Sequence, residues 1–173
     1  MRKVLVVVDM QKDFVDGSLG TKEAEAIVPA VVEKIKSYDI KDVFVTYDTH
    51  QENYMDTQEG HNLPVTHCVE GTEGWELDAK VKEAVKGATI VKKPTFGSTE
   101  LAERIKAIYE KEEIEVELIG LCTDICVVSN ALILKAFMPE VHISVDSSCC
   151  AGVTPQKHEA ALETMRSCQI NVK

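Results

Sequence analysis

The chain has 173 residues, 45% of them hydrophobic and 28% charged. This is ordinary globular usage at the size of one domain, which excludes a disordered or low-complexity protein. Nineteen basic residues against 29 acidic ones leave a net charge of −10, so nucleic acid and anionic membrane surfaces are poor partners and a small molecule is the expected one.

The N-terminus reads M-R-K-V-L-V-V-V-D. Its apolar run, Val4 to Val8, is too short for a signal peptide or a membrane span. A cytoplasmic protein is therefore expected, with Cys68, Cys122, Cys126, Cys149, Cys150 and Cys168 as reduced thiols.

Short β-branched runs predict strands at 3–8, 42–47, 89–92, 115–119 and 141–145, with a weaker one at 169–172. Between the first two, Ala24, Ile27, Val28, Val31, Val32 and Ile35 form a helical stripe. The long stretch 49–74 is irregular and rich in His, Asp and Glu, the usual profile of a functional loop. Leu101, Ile105 and Ile108 mark a second helix, and 124–137 and 154–168 read as two more. Unbroken apolar strands alternating with helices predict an α/β protein with a parallel sheet covered on both faces. No linker or repeat divides it, so one domain over 1–173 is expected.

In such a sheet ligands bind beyond the carboxyl ends of the strands. Asp9 follows the first strand, Asp48 and His50 the second, Lys92 and Lys93 end the third, and Cys122 and Cys126 follow the fourth. Any one of these alone is more often a helix cap or a solvated loop charge. Four consecutive strand ends with such residues favour an active site. Cys126 is the better nucleophile candidate: with Thr123 or Asp124 as cap it falls in the first helical turn, where amides and the macrodipole favour a thiolate. The same amides could hold an oxyanion, and Cys122 could share that environment. Cys149 and Cys150, after the fifth strand, read as buried or loop thiols, while His142 and His158 read as structural or surface residues.

The 49–74 stretch and its border hold Asp48, His50, Glu59, His61 and His67, with three of the five histidines inside it. Carboxylate and imidazole together suit Zn, Fe or Mn rather than calcium.

The blocks V-V-V-D-M-Q-K-D-F, D-T-H, L-P-V-T-H-C-V-E-G-T, K-P-T-F-G-S-T and G-L-C-T-D-I-C-V resemble the isochorismatase-like cysteine hydrolases, and within them the nicotinamidase (pyrazinamidase) branch. The resemblance spans nearly the whole chain. It implies a three-layer α/β/α fold whose six parallel strands run in the order 3-2-1-4-5-6. It implies a catalytic triad of Asp9, Lys93 and Cys126, and oxyanion donors at Cys122 and Cys126 beside a cis peptide preceding Cys122. It also implies one divalent transition metal, zinc first and iron or manganese next, on Asp48, His50, Glu59 and His67. Phe14 and Leu19 would wall the pocket. The implied reaction is hydrolysis of nicotinamide to nicotinate and ammonia through a thioester on Cys126, a step of NAD salvage.

Leu63 stands near the position where nicotinamidases often carry a tryptophan, and the single tryptophan here is Trp75. His61 competes with Glu59 as a ligand. The alternative reading is another amidase of the family, acting on a ureido, carbamoyl or maleamate-type substrate. A homo-oligomer is an allowed state.

Overall fold

The computed structural model describes residues 1–173. Six aliphatic runs become the strands β1 (Arg2–Val8), β2 (Val43–Asp48), β3 (Thr89–Lys93), β4 (Ile114–Leu121), β5 (His142–Ala151) and β6 (Asn171–Val172). They pair in parallel in the order β3-β2-β1-β4-β5-β6, the order that the resemblance implies. The helices are α1 (Lys12–Val15), α2 (Lys22–Lys36), α3 (Gln58–Asn62), α4 (Ala79–Ala84), α5 (Thr99–Tyr109), α6 (Val128–Phe137) and α7 (Pro155–Ser167).

Alternate residues of each strand point to opposite faces, and both faces are apolar. Val4, Val6 and Val8 pack with Leu101, Ile105, Leu134 and Leu162, under α5, α6 and α7. Leu5 and Val7 pack with Val28, Val31, Ile35 and Val81, under α2 and α4. Side-chain caps start the longer helices. Thr21 accepts from the Ala24 amide, Ser98 from Leu101 and Thr154 from Lys157, with Pro155 at the first position of α7.

Register brings the strand ends together. Val8 lies beside Thr46 on one side and Gly120 on the other, and Asp48 lies beside Lys93. Gly120 has φ of +117°, and a Cβ there would meet the Val8 carbonyl oxygen at 2.2 Å. Only glycine lets β4 pass so close to the end of β1.

Three expectations need revision. The helix predicted from residue 124 begins at Val128, preceded by a single π-turn over Thr123–Val127. Neither Thr123 nor Asp124 caps it: the Thr123 hydroxyl bonds His158 Nδ1 at 2.7 Å, and Asp124 Oδ1 accepts from the Val153 amide at 2.9 Å. Both side chains are committed to the α7 side of the site. The fifth strand runs on to Ala151, through an irregularity in its pairing between Leu118 and Gly120. This places Cys149 and Cys150 inside the strand, buried on opposite faces.

Candidate active site

Asp9, Lys93 and Cys126 meet at the carboxyl edge of the sheet, and each is at least 96% buried. Asp9 leaves β1 with φ of +47°, an uncommon conformation that asparagine and aspartate tolerate best. The Thr46 hydroxyl holds this turn. It accepts from the Asp9 amide at 3.2 Å and donates to Asp9 Oδ1 at 2.6 Å. The second oxygen, Oδ2, stands 2.6 Å from Lys93 Nζ as an ion pair, yet it has no directed hydrogen bond. A buried carboxylate oxygen with spare acceptor capacity suits receipt of a proton.

Lys93 Nζ also donates to the Thr95 carbonyl at 3.1 Å and lies 3.4 Å from Cys126 Sγ. Its 3.7 Å approach to Asp48 Oδ1 links the triad to the neighbouring cluster. Lys92, one residue earlier, faces the other way, pairs with Glu70 and lies over the Trp75 ring. The alternation of a strand thus separates a buried lysine from an exposed one.

The charges of the site oppose the expected resting thiolate. Burial pushes the Cys126 thiol well up, and the adjacent Asp9 carboxylate adds to this more than Lys93 takes away. Burial also raises Asp9, against the lowering influence of Lys93. Lys93 is itself raised: burial would lower it, but Asp9, Cys126 and Asp48 together outweigh that. In this arrangement a thiol lies beside a carboxylate and an ammonium, and Asp9 is placed where it could accept the thiol proton.

Beside the triad, one ligand atom from each of Asp48, His50, Glu59 and His67 lies within 4.8 Å of all the others. His67 Nε2 is 3.5 Å from Asp48 Oδ2 and 3.6 Å from Glu59 Oε1; His50 Nε2 is 2.9 Å and 3.6 Å from the same two atoms. Ligands about 2.0–2.1 Å from a tetrahedral ion stand roughly 3.3 Å apart, so this donor set fits one transition-metal ion. His67 Nδ1 is 2.7 Å from the Val65 carbonyl, which fixes the proton on Nδ1 and leaves Nε2 as the donor. The cluster takes Glu59 and leaves out His61, which is exposed. Burial raises Asp48, but the two histidines and Lys93 overcome this and hold it well below the usual carboxylate range. Burial raises Glu59.

Local packing sets these four side chains. Gly60 lets α3 sit on the Tyr54 turn, where a Cβ would meet the Tyr54 carbonyl oxygen at 2.1 Å. Tyr54 is fully buried and packs edge-on against both histidine rings, at 4.8 Å from His50 and 5.0 Å from His67. Gln11, which sequence reasoning did not single out, clamps Asp48 through its backbone. Its amide oxygen accepts from the Asp48 N–H at 2.8 Å, and its nitrogen donates to the Asp48 carbonyl at 2.8 Å.

Cys126 and the four side chains of the cluster line one cavity of about 830 Å³, with Asp9 and Lys93 buried behind Cys126. Phe14 and Leu19 line the cavity, and the Phe14 ring lies 5.4 Å from that of His67. Cys122 and Cys126 also line it, and the peptide between Leu121 and Cys122 is cis. Leu63, Phe96, Ile125 and Val153 complete the apolar wall. Phe96 was visible in the K-P-T-F block, but nothing in a sequence shows which way its ring turns. Trp75 lies outside the cavity, against Tyr47, with its indole N–H donating to Thr49.

Comparison with known proteins agrees with this geometry. The isochorismatase family model, described as "Isochorismatase domain", matches residues 3–172. The isochorismatase family protein PncA of Bacillus subtilis (strain 168) is 30% identical over 178 aligned positions, covering 94% of this chain and 93% of that one. Among solved structures, the nicotinamidase/pyrazinamidase PncA from Bacillus subtilis superposes with a TM-score of 0.82 at 26% identity, over 99% of each chain. The pyrazinamidase of Pyrococcus horikoshii, solved in complex with zinc, superposes with a TM-score of 0.79 at 27% identity, over 100% of this chain and 99% of that one. With the family model spanning almost its full length, the chain belongs to the isochorismatase family.

Proposed function

We propose that this chain is a metal-dependent cysteine amidohydrolase that converts nicotinamide to nicotinate and ammonia. The observation that carries the reading is that Cys126, backed by the buried Asp9 and Lys93, shares one cavity with the Asp48–His50–Glu59–His67 cluster. The likeness to nicotinamidase and pyrazinamidase structures supports the same substrate class.

Asp48, His50, Glu59 and His67 would hold one divalent transition metal, zinc first among the candidates. When bound, the ion supplies Lewis-acid affinity for a ring nitrogen, directly or through a water. The protein's own residues carry the chemistry. Asp9 Oδ2 takes the Cys126 proton as Sγ attacks the amide carbonyl, and Lys93 balances the charge that appears on sulfur. Backbone N–H groups of Cys122 and Cys126 receive the oxyanion. The C–N bond breaks as Asp9 returns the proton to nitrogen, and ammonia leaves a thioester on Cys126. Asp9 then takes a proton from water as its oxygen attacks the thioester, and passes it to Sγ as nicotinate departs. Phe14, Leu19 and the apolar wall exclude bulk water from the ring.

A ureido, carbamoyl or maleamate-type substrate would use the same triad but would have no ring nitrogen for the cluster to grip. Metal analysis with an ammonia-release screen over nicotinamide, pyrazinamide and ureido compounds separates the readings. Stoichiometric metal and preference for the pyridine amide are expected. A metal-free protein that turns over a ureido compound well would replace this function with the alternative.

A further inference from the structure

Asn130 lies on α6, one helical turn after Cys126, in none of the motifs that carry the family resemblance to the metal or the triad. It is 99% buried, and its amide spends its capacity on two segments far apart in sequence. Nδ2 donates to the Cys126 carbonyl at 2.8 Å and to the Phe96 carbonyl at 3.2 Å, while Oδ1 accepts from the Ser98 amide at 3.0 Å. The second segment is the one that leaves β3 at Lys93 and contributes the Thr95 carbonyl to the lysine ammonium. It is pressed onto α6: a Cβ at Gly97 would meet Ile133 Cδ1 at 2.3 Å.

A buried primary amide is costly unless its donors and acceptor are satisfied, and here all three are, by backbone groups whose relative position they fix. Here the geometry joins the nucleophile turn to the lysine loop. Thr123–Val127 is a π-turn, in which the regular ladder of carbonyl acceptors is interrupted. The Asn130 side chain supplies a donor to the Cys126 carbonyl at that break. We infer that Asn130 is a positioning residue for the reaction, tying the Cys126 peptide and the Lys93–Ser98 segment into one rigid unit so that Sγ stays within reach of Lys93 and Asp9. This rests on the reading of Cys126 as nucleophile given above.

The test measures ammonia release from nicotinamide by the metal-loaded enzyme for wild type, Cys126→Ala, Asn130→Ala and Asn130→Ser. The rate of Cys126 alkylation by iodoacetamide, read by peptide mass spectrometry, follows the thiol without substrate. Asn130→Ala should lose about 10- to 100-fold in kcat with KM changed less than about threefold, the size expected of misplacement near one ångström. Its Cys126 alkylation rate should change as well, which a simple loss of folding stability would not produce in the folded fraction. Serine is small enough to fold in place and can donate back to the carbonyl four residues earlier, so Asn130→Ser should recover at least about threefold of the lost kcat. Wild-type kcat and alkylation in folded Asn130→Ala overturn the inference, as does a serine variant no better than alanine. An active Cys126→Ala protein would instead overturn the nucleophile assignment, so the two failures are distinct.

Discussion

Replacing Lys93 with methionine removes one charge from the centre of the site while keeping a side chain of similar length. The ammonium lies 3.4 Å from Cys126 Sγ and both groups are buried, so salt and water screen the pair little. With an effective dielectric of about 20, a unit charge at that separation stabilises a thiolate by about 5 kcal/mol. At about 1.4 kcal/mol per decade this is roughly three to four orders of magnitude in rate if the thiolate is fully formed at the transition state. A second effect acts in the same direction. Lys93 is the main influence holding Asp9 down against burial, so the carboxyl rises further in the variant and is protonated when it should accept. Lys93→Met should therefore lower kcat for nicotinamide by about 10³ to 10⁴ in a coupled ammonia assay, with the far-ultraviolet circular dichroism of wild type. Lys92→Met, on the exposed face of the same strand, is the control and should stay within about threefold. A folded Lys93→Met enzyme within about tenfold of wild type would refute the electrostatic reasoning.

Cys126→Ala should abolish turnover with an unchanged melting temperature, whereas Cys149→Ala and Cys168→Ala keep most activity; residual ammonia release near the wild-type rate would remove Cys126 from the mechanism. A chelator should remove activity on nicotinamide without unfolding the protein, and added Zn, Mn or Fe should restore it; His67→Ala should raise KM far more than it lowers kcat, and the reverse pattern would contradict a ring-orienting cluster. Glu117 provides a pH test outside the site. Burial pushes its carboxyl up, but Lys173 at 2.7 Å, Tyr38 at 2.9 Å and Lys34 at 3.2 Å outweigh this and bring it below its ordinary 4.5. A lowered folded value means stabilisation that is present above the unfolded pKa and lost as pH falls through the folded one. Melting temperatures from about pH 6 to about pH 3 should fall more steeply in wild type than in Glu117→Gln, and parallel curves would show that the network does not respond to this proton.

The sequence by itself determined the frame of the site. Short β-branched runs alternating with helical stripes dictate a parallel sheet, because strands buried on both faces need apolar residues at every position. Right-handed crossovers then deliver Asp9, Asp48, Lys93 and Cys126 to one edge, which is why the ends of the runs were legible as candidates. Strand alternation also separated Lys93 from Lys92. What only the tertiary structure decided depends on contacts between residues far apart in the chain. Glu59 rather than His61 joins the cluster because Gly60 seats α3 on Tyr54, a contact no spacing rule contains. The end of β4 gives way to a π-turn, and burial and the Asp9 carboxylate push the Cys126 thiol up, against the expected helix-dipole thiolate. Gln11 and Asn130 look like ordinary polar residues in the sequence. They acquire their roles because a buried amide must find partners for its donors and acceptor, and here those partners are the backbones of Asp48 and Cys126. Local patterning sets which residues reach the edge of the sheet, and long-range packing sets their charge states and their partners.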